Sequence, residues 1–212
     1  MIAGRLITFE GIDGSGKSTQ IQLLEREFNK LGVQFKTFRE PGGTKLSEKI
    51  REILLDKGNI ELSSTAESLL FAAARAQLIS EQIKPAIANG EFVICDRFTD
   101  STIAYQGYGR GLDIKKLEEI NHIATGGLTP DIIFILDISP EVAAGRLETE
   151  APDRMEVSGV EFFRRIREGY YQIKDKNPNL YRVINGEQSP ENVFNEIKAI
   201  VMKKFEEVLI CS

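Results

Sequence analysis

A glycine-rich stretch near the start of the chain has the residue types and the spacing to hold an anion. Residues 11–18 read GIDGSGKS, which matches the pattern G-x-x-x-x-G-K-S. The glycines permit positive φ angles, so the backbone N–H groups and the start of the following helix can face a phosphate. Lys17 adds a full positive charge, and the Ser18 hydroxyl is suited to ligate Mg²⁺. The segment therefore predicts a loop that binds the phosphates of a nucleoside triphosphate.

An acidic and a basic residue, Asp96 and Arg97, close the apolar run FVICD at residues 92–96. An Asp at a strand end beside a phosphate-binding loop is typical of the residue that holds the hydration shell of Mg²⁺. The guanidinium of Arg97 can donate two hydrogen bonds to a second phosphate. A surface ion pair at a strand end is the alternative interpretation.

Two further segments contain side chains suited to a planar base and a sugar. Phe71 and Arg75 are four residues apart, on one face of a predicted helix, where one could stack on a ring and the other donate to a ring oxygen. A core Phe beside an Arg that extends to solvent explains the same spacing. A helical turn after Arg97 would direct three polar side chains toward the same edge, namely Ser101, Tyr105 and Gln106.

The polar, turn-prone stretch at about 146–157 is predicted to form a short lid. It contains Arg146 and Arg154. A lid arginine that lies opposite a phosphate loop can stabilise the charge on a phosphoryl group during transfer. A solvated connector between two helices is the alternative. The three arginines at 164, 165 and 167 are interpreted as a solvated helix face.

Five short apolar runs predict the strands that must position these residues. Most are nearly continuous, as expected for strands covered on both faces, and helical patterns lie between them. This alternation predicts an α/β fold with a mainly parallel sheet, whose ligands bind at the carboxyl ends of the strands. The predicted strands are residues 6–10, 36–40, 92–96, 132–138 and 181–185.

Serine residues mark the predicted helix starts. Ser64 and Ser158 are each followed three residues later by Glu, which is the pattern of a capping box. Ser139 and Ser189 each precede a proline at the first helical position. Apolar periodicity predicts helices over residues 19–31, 46–56 and 65–83, and a last helix that packs on the sheet.

Length and composition suit one domain over residues 1–212 with a normal core, since 42% of the residues are hydrophobic. No apolar run approaches the ~20 residues that span a bilayer, and the N-terminus lacks the layout of a signal peptide. We therefore expect a cytoplasmic protein without a membrane partner. The net charge of −5 argues against nucleic acid as a partner. The one histidine, His122, gives little support to a zinc site, and Cys95 is predicted to be a buried thiol.

The combination of these motifs closely resembles bacterial thymidylate kinases. The resemblance implies a P-loop nucleoside-monophosphate-kinase fold, with a five-stranded parallel sheet flanked by helices and a short lid. It also implies transfer of a phosphoryl group from ATP to dTMP with Mg²⁺, giving ADP and dTDP, and a homodimer. The segments that carry it are FEGIDGSGKST at 9–19, REPGGT at 39–44, LFAAAR at 70–75, DR at 96–97, AYQ at 104–106 and DRME at 153–156.

The resemblance further implies which residues hold ATP and the metal. Lys17 and the loop N–H groups would hold the phosphates, Ser18 would contact Mg²⁺, and Asp96 would hold the metal shell. The implied ATP-binding positions are Gly11, Ile12, Asp13, Gly14, Ser15, Gly16, Lys17, Ser18, Thr19 and Arg146.

For the acceptor, the resemblance implies that Arg97 binds the phosphate of dTMP, Phe71 stacks on thymine and Arg75 reads its O4. Tyr105 would disfavour a ribose 2′-OH. The implied acceptor positions are Glu10, Asp13, Glu40, Pro41, Arg51, Phe71, Arg75, Arg97, Ser101, Thr102, Tyr105 and Gln106.

The catalytic residues implied in the same way are Lys17, Asp13, Asp96, Arg97 and a lid arginine. Family members differ in where that arginine lies, and a glycine after the loop Asp, as at Gly14, implies the lid. Residues 147–153 nevertheless contain no arginine. We therefore predict that Arg154 or Arg146 has this role, with Arg154 favoured.

Three other functions are compatible with parts of the pattern. A P-loop kinase for another nucleoside monophosphate or a deoxynucleoside is the nearest, but Arg97 favours a phosphorylated acceptor. A nucleotide-binding regulator without transfer activity would not need Lys17, Ser18, Asp96 and Arg97 together. A purely structural protein would need none of them.

Overall fold

The computed structural model describes residues 4–59, 61–147 and 159–210, and five strands within them form one sheet. All four strand pairings are parallel. The strands are β1 Arg5–Glu10, β2 Phe35–Arg39, β3 Phe92–Asp96, β4 Ile132–Asp137 and β5 Tyr181–Asn185. Their order in the sheet is β2-β3-β1-β4-β5. The predicted α/β fold is confirmed, and each predicted strand end is within one residue of the observed end.

The strand register brings the chemically interesting strand ends to one edge of the sheet. Asp96, the last residue of β3, is paired with both Phe9 of β1 and Arg39 of β2. On the other side of β1, Glu10 is paired with Ile135 of β4. The loops that follow β1, β2 and β3 therefore leave the sheet side by side, as expected for a ligand site of a parallel sheet.

Ten α-helices are found in the described residues, together with π-helical segments at Ile79–Ile83 and Ile103–Gly109. The predicted helix over 65–83 is partly wrong, because its last five residues are π-helical and lead directly into α4. The α-helices are α1 Lys17–Leu31, α2 Lys45–Leu55, α3 Ser64–Leu78, α4 Lys84–Ala88, α5 Thr99–Thr102, α6 Ile114–Thr125, α7 Pro140–Leu147, α8 Val160–Lys176, α9 Pro190–Lys204 and α10 Glu206–Ile210.

The predicted capping box of α3 is wrong, whereas both Ser-Pro starts are confirmed. The N-cap of α3 is Ser63, whose hydroxyl accepts from the N–H of Ala66, one residue earlier than predicted. Glu67 is turned inward instead and accepts a hydrogen bond from Gln106. The N-cap of α8 is Gly159, without a capping side chain, while Ser158 lies outside the described residues.

Alternation along β1 determines which side chains face which layer of helices. Ile7 and Phe9 pack in one core with α1 and α9. Leu6 belongs to a core on the opposite face, with the end of α3 and α4. Glu10 shares the parity of Leu6, so it faces the second layer, where α5 and α8 lie. Cys95 is buried in that layer, as predicted.

None of the helices in the described part of the chain is long and apolar enough to cross a membrane. His122 lies exposed on α6, and the described residues contain no cluster of three or more His, Cys, Asp or Glu side chains that could hold a metal ion.

Candidate active site

The loop between β1 and α1 has the conformation that its glycines predict. Gly11, Gly14 and Gly16 all have positive φ angles. At Gly11 a Cβ atom would lie 2.6 Å from the carbonyl oxygen of Leu136, so this position is also closed to larger residues by the neighbouring strand. Gly16 is the N-cap of α1 and no side chain caps this helix. The first N–H groups of α1 therefore face the loop without a capping acceptor, which suits an anion.

Lys17 lies inside this loop and is almost fully buried. Its Nζ donates to the carbonyl oxygens of Gly11 and Ile12, each at 3.1 Å. Burial lowers the pKa of this ammonium group, and the nearby charge of Arg97 lowers it further. A buried ammonium group with only neutral oxygens as hydrogen-bond partners is well placed to gain from an added phosphate charge.

Ser18 and Asp96 meet at the mouth of the loop. The Ser18 hydroxyl donates to Oδ2 of Asp96 at 3.1 Å, which joins the start of α1 to the end of β3. Hydroxyl and carboxylate oxygens are ligands that Mg²⁺ accepts when phosphates and water complete its shell. The pair thus fits a cation held jointly by protein and nucleotide.

Arg97 follows Asp96 at the end of β3 and contacts several parts of the site. It has a φ of 71°, the only positive φ of a non-glycine residue in the described ranges. Its guanidinium donates to Gly11 O at 3.1 Å and to the Ser101 hydroxyl at 3.2 Å, and it forms an ion pair with Asp13. It also lies over the Tyr105 ring, 4.8 Å from the ring centroid. These four contacts fix the Arg97 side chain beside the phosphate loop.

Asp13, inside the loop, is shared by two partners. Its carboxylate accepts from Arg97 and, at 2.8 Å, from the hydroxyl of Tyr105. Burial alone would raise the pKa of Asp13, but the charges of Arg97 and Lys17 lower it below the usual range. The carboxylate is therefore ionised at neutral pH.

Two adjoining cavities open along this edge of the sheet. The larger, of about 680 Å³, follows the phosphate loop and extends to Arg146, Gly186 and Gln188. The smaller, of about 100 Å³, is lined mostly by the residues predicted for the acceptor. Four residues line both cavities, namely Asp13, Glu40, Arg51 and Arg97. The two cavities therefore meet at a junction with two arginines and two carboxyl groups.

The structure brings eleven of the twelve predicted acceptor positions around the smaller cavity. Glu10 is the exception, and Leu55 of α2 lines the cavity although the sequence did not single it out. An aliphatic residue on an amphipathic helix gives no signal that separates a cavity wall from ordinary core. The residues placed there as predicted are Asp13, Glu40, Pro41, Arg51, Phe71, Arg75, Arg97, Ser101, Thr102, Tyr105 and Gln106.

Arg75 does not extend to solvent, so the alternative interpretation of its spacing to Phe71 is wrong. The side chain is 1% exposed. Its guanidinium donates to Oε2 of Glu40 at 2.6 Å and to Oδ1 of Asn121 at 2.6 Å. It also donates to Thr102 Oγ1 at 3.1 Å and to a backbone carbonyl at 3.0 Å. This network fixes one planar donor group in the cavity wall.

Glu40 has a second oxygen that remains unsatisfied. Oε1 of Glu40 is buried and has no hydrogen-bond partner. Burial raises the pKa of this carboxyl to about 7, against the opposing effect of the Arg75 charge. A polar atom of this kind at a cavity wall is suited to accept from a ligand donor.

Glu10 faces away from the smaller cavity and supports the residues that line it. Its carboxylate accepts from the N–H of Phe98 at 2.8 Å and from the Ser101 hydroxyl at 2.6 Å. A third donor is the hydroxyl of Tyr170 on α8, at 2.9 Å. Tyr170 could not be identified from the sequence, because a tyrosine in the apolar stripe of a helix is typical of a core residue.

Only one of the two candidate lid arginines can be placed. Arg146, near the end of α7, donates to Gly14 O at 3.1 Å and to Gly186 O at 3.0 Å, so it joins the phosphate loop to the loop after β5. Arg154 lies outside the described residues, as do residues 148–157 of the predicted lid. The choice between the two arginines stays a prediction.

The arginines after the predicted lid have different environments. Arg164 and Arg165 are exposed, as predicted, but Arg167 is not a simple solvated residue. It donates to both oxygens of Asp137, at 2.6 and 2.7 Å, and Tyr171 donates to the same carboxylate. The Asp137 carboxylate at the end of β4 thus anchors α8 rather than facing a ligand.

Comparisons with known proteins agree with this arrangement. A sequence model described as thymidylate kinase matches residues 9–197. A thymidylate kinase of Chlorobium luteolum is 50% identical over 212 residues, covering 95% of this chain and 97% of its own length. One from Chlorobaculum tepidum is 49% identical and covers 91% and 94%. A crystal structure of thymidylate kinase from Ehrlichia chaffeensis has a TM-score of 0.76 and 39% identity, and the match covers 94% of this chain and 99% of that one. Because the family model matches residues 9–197 and these relatives are 49–50% identical over most of their length, the chain belongs to the thymidylate kinase family.

Proposed function

We propose that this kinase transfers the terminal phosphoryl group of ATP to dTMP, giving ADP and dTDP. One observation carries the proposal: a cavity along a phosphate-binding loop adjoins a smaller cavity, and the two share Asp13, Glu40, Arg51 and Arg97. Phosphoryl transfer needs two anionic groups to meet in line, and the protein acts mainly by positioning them and neutralising their charge. A junction with two arginines beside a lysine-bearing loop is suited to that task.

The donor would lie in the larger cavity. Lys17 and the uncapped N–H groups at the start of α1 would hold the phosphates of ATP, as the conformation of the loop allows. Arg146 and the loop after β5 line the far part of the same cavity, which leaves that part for the nucleoside. The residues assigned to ATP are Gly11, Ile12, Asp13, Gly14, Ser15, Gly16, Lys17, Ser18, Thr19 and Arg146.

Mg²⁺ fits the oxygen pair at the mouth of the loop. Ser18 would ligate the ion directly, and Asp96 would accept from its water shell. When bound, the ion supplies positive charge to the phosphate oxygens. The position of this pair beside Lys17 is what supports the assignment.

The acceptor would lie in the smaller cavity, with its phosphate at the junction. Arg97 would receive that phosphate, because its guanidinium is already held there by Asp13 and Ser101. Phe71 would stack on the base, and Arg75 would donate to a ring oxygen from a guanidinium whose plane is fixed by its four acceptors.

Selection against ribonucleotides would fall to Tyr105. Its ring lies under the Arg97 guanidinium, and its hydroxyl is held by Asp13. A side chain held at both ends cannot easily move aside for an additional 2′-OH.

No residue of the chain has to form a covalent intermediate in this reaction. Lys17, Asp13, Asp96 and Arg97 would act by position and charge, and a lid arginine would stabilise the charge that develops on the transferred group. We assign that role to Arg154, with Arg146 as the second candidate. The cytoplasmic location expected from the sequence stays a prediction.

We further propose a homodimer. Four large apolar side chains are exposed on α2, α3 and α6, of which α3 contacts both others. They are Leu46, 49% exposed, Ile53, 45% exposed, Leu69, 50% exposed, and Ile123, 79% exposed. Exposed apolar residues on adjoining helices are suited to pack against a second copy.

The proposed function is tested by ADP release in the presence of six acceptors: dTMP, dUMP, dCMP, dGMP, AMP and thymidine. Turnover with dTMP, and weaker turnover with dUMP, is the expected result. Preference for a different monophosphate or for thymidine would replace the acceptor assignment. ATP binding without turnover of any acceptor would favour a nucleotide-binding regulator.

A further inference from the structure

The side chain of Arg97 is reached from α8 through a chain of buried hydroxyl groups. The Arg97 guanidinium donates to the Ser101 hydroxyl at 3.2 Å, and Ser101 donates to Oε2 of Glu10 at 2.6 Å. The hydroxyl of Tyr170 lies 2.9 Å from the same Glu10 oxygen and 3.1 Å from Ser101 Oγ. These four side chains come from three separate parts of the chain, namely the end of β1, the segment after β3 and α8.

The Tyr170 hydroxyl is a hydrogen-bond donor in this network. Ser101 has one hydroxyl proton, which it gives to Glu10, so its oxygen is left to accept from Arg97. The single hydroxyl proton of Tyr170 can be donated to Glu10 or to Ser101, because both oxygens lie within hydrogen-bond distance. Burial raises the pKa of Tyr170 well above its ordinary value, and the charge of Glu10 acts in the same direction. The phenol therefore stays protonated and acts as a donor.

Glu10 controls the backbone after Arg97 as well as its side chain. Oε1 of Glu10 accepts from the N–H of Phe98 at 2.8 Å, directly after the residue whose φ is 71°. Its other oxygen orients Ser101, the partner of the guanidinium. A carboxylate with fewer donors would be free to rotate, and both supports of Arg97 would move with it.

We propose that Tyr170 is a positioning residue for the acceptor phosphate, acting on Arg97 through Glu10 and Ser101. This inference rests on the proposed function, because it takes Arg97 as the ligand of the dTMP phosphate. Tyr170 does not line either cavity and touches no substrate. Its effect is therefore expected on the binding of the phosphate group and not on the binding of the base.

Tyr170→Phe removes one hydroxyl and keeps the buried ring. The KM for dTMP should rise about tenfold, with kcat lowered less than threefold, because the loss acts on a charged hydrogen-bond network. The KM for ATP and the affinity of thymidine, measured as a competitor of dTMP, should each stay within twofold of the wild-type value. Thymidine lacks the phosphate, so it reports the base and sugar contacts alone.

Tyr171→Phe is the matched control. It removes a hydroxyl from the next residue of the same helix, where the partner is Asp137. We expect no change in the KM for dTMP. An unchanged KM for dTMP in Tyr170→Phe, or an equal loss of dTMP and thymidine affinity, would overturn the inference.

A second set of variants covers the possibility that Tyr170→Phe is poorly folded. Thermal melting gives the temperature range in which each variant is native. Ser101→Ala breaks the side-chain link between Tyr170 and Arg97 and leaves only the link through Glu10 and the Phe98 N–H. Adding Tyr170→Phe to it should therefore raise the KM for dTMP by a smaller factor than Tyr170→Phe does in the wild type. Full additivity of the two changes contradicts the proposal. A wild-type enzyme without dTMP turnover would instead refute the proposed function and, with it, this inference.

Discussion

Nε of Arg75 lies 2.6 Å from Oε2 of Glu40, and both side chains are buried in the wall of the smaller cavity. The pair joins α3 to the loop after β2, and Asn121 of α6 receives a further hydrogen bond from the same guanidinium. The position of this arginine therefore depends on three elements that are distant in sequence. A change in its donor geometry should therefore lower both the stability of the protein and its affinity for the acceptor.

Arg75→Lys keeps the charge but replaces a planar group of five donors with a single ammonium group. We expect the free energy of unfolding to fall by about 2–4 kcal/mol, since buried acceptors lose their partners. The KM for dTMP should rise at least tenfold. Denaturant unfolding and steady-state kinetics measure the two effects. Arg164→Lys, at an exposed ion pair with Glu141 and Glu161, should leave the free energy of unfolding unchanged, because solvent screens such pairs. Equal stability of the Arg75 and Arg164 variants would contradict the role of the buried network.

The role of the lid arginine is tested by paired alanine variants. Arg154→Ala should lower kcat at least tenfold with little change in the KM for ATP, because its contact would form only in the transition state. Arg146→Ala should raise the KM for ATP, since this residue joins two loops of the larger cavity. Arg182→Ala, which removes a guanidinium that lines neither cavity, is the control. A normal kcat in Arg154→Ala together with a low kcat in Arg146→Ala would reverse the assignment.

The oxygen pair at the mouth of the loop predicts how activity depends on Mg²⁺. In Asp96→Asn and in Ser18→Ala, the Mg²⁺ concentration for half-maximal activity should rise about tenfold or more. Titration of Mg²⁺ at fixed ATP measures this. Ser80→Ala, at an exposed serine away from the site, should leave the Mg²⁺ dependence as in the wild type. Identical Mg²⁺ curves for all four proteins would remove both residues from the metal site.

Asp100 predicts a specific dependence of stability on pH. Burial and the charge of Glu10 raise the pKa of Asp100 to about 7, whereas the carboxyl titrates near ~4 in the unfolded chain. The native state then binds a proton more tightly, so the contribution of Asp100 to stability is complete below about pH 4 and is lost as the pH rises through about 7. The melting temperature of Asp100→Asn should fall less than that of the wild type between these pH values. Parallel melting curves for the two proteins across this range would contradict the prediction.

The exposed apolar side chains on α2, α3 and α6 predict the surface between two copies. Ile123→Glu should place a charge in that surface and shift the protein from dimer to monomer. Light scattering after size-exclusion chromatography gives the mass directly. Leu31→Glu, at an exposed apolar residue at the end of α1, should leave the mass unchanged. A monomeric wild-type protein would refute the homodimer.

The strands and the phosphate loop could be predicted closely from sequence, for identifiable reasons. The three central strands β1, β3 and β4 are covered on both faces and give nearly continuous apolar runs, and every predicted strand end is within one residue of the observed end. The phosphate loop depends on glycines whose φ angles admit few other residues. Both signals are local, and they require no knowledge of the distant parts of the chain.

The missed features depend on contacts between distant residues. Tyr170 and Glu10 are 160 positions apart, and nothing in either segment indicates that they meet. Asn121 was missed for the same reason, since its role is set by Arg75 of a neighbouring helix. The cap of α3 was misplaced by one residue because Ser63 and Ser64 both fit a helix start, and the contact of Glu67 with the distant Gln106 gives no local signal.

The left-handed backbone of Arg97 has a consequence for protein engineering. A non-glycine residue in this conformation costs roughly 1–3 kcal/mol, and glycine would adopt it without strain. A procedure that ranks substitutions at this position by backbone strain alone would therefore select glycine. The resulting protein would have a relaxed backbone and no guanidinium between its two cavities. At this position the conformational preference and the required charge call for different amino acids, and the chain retains the charge.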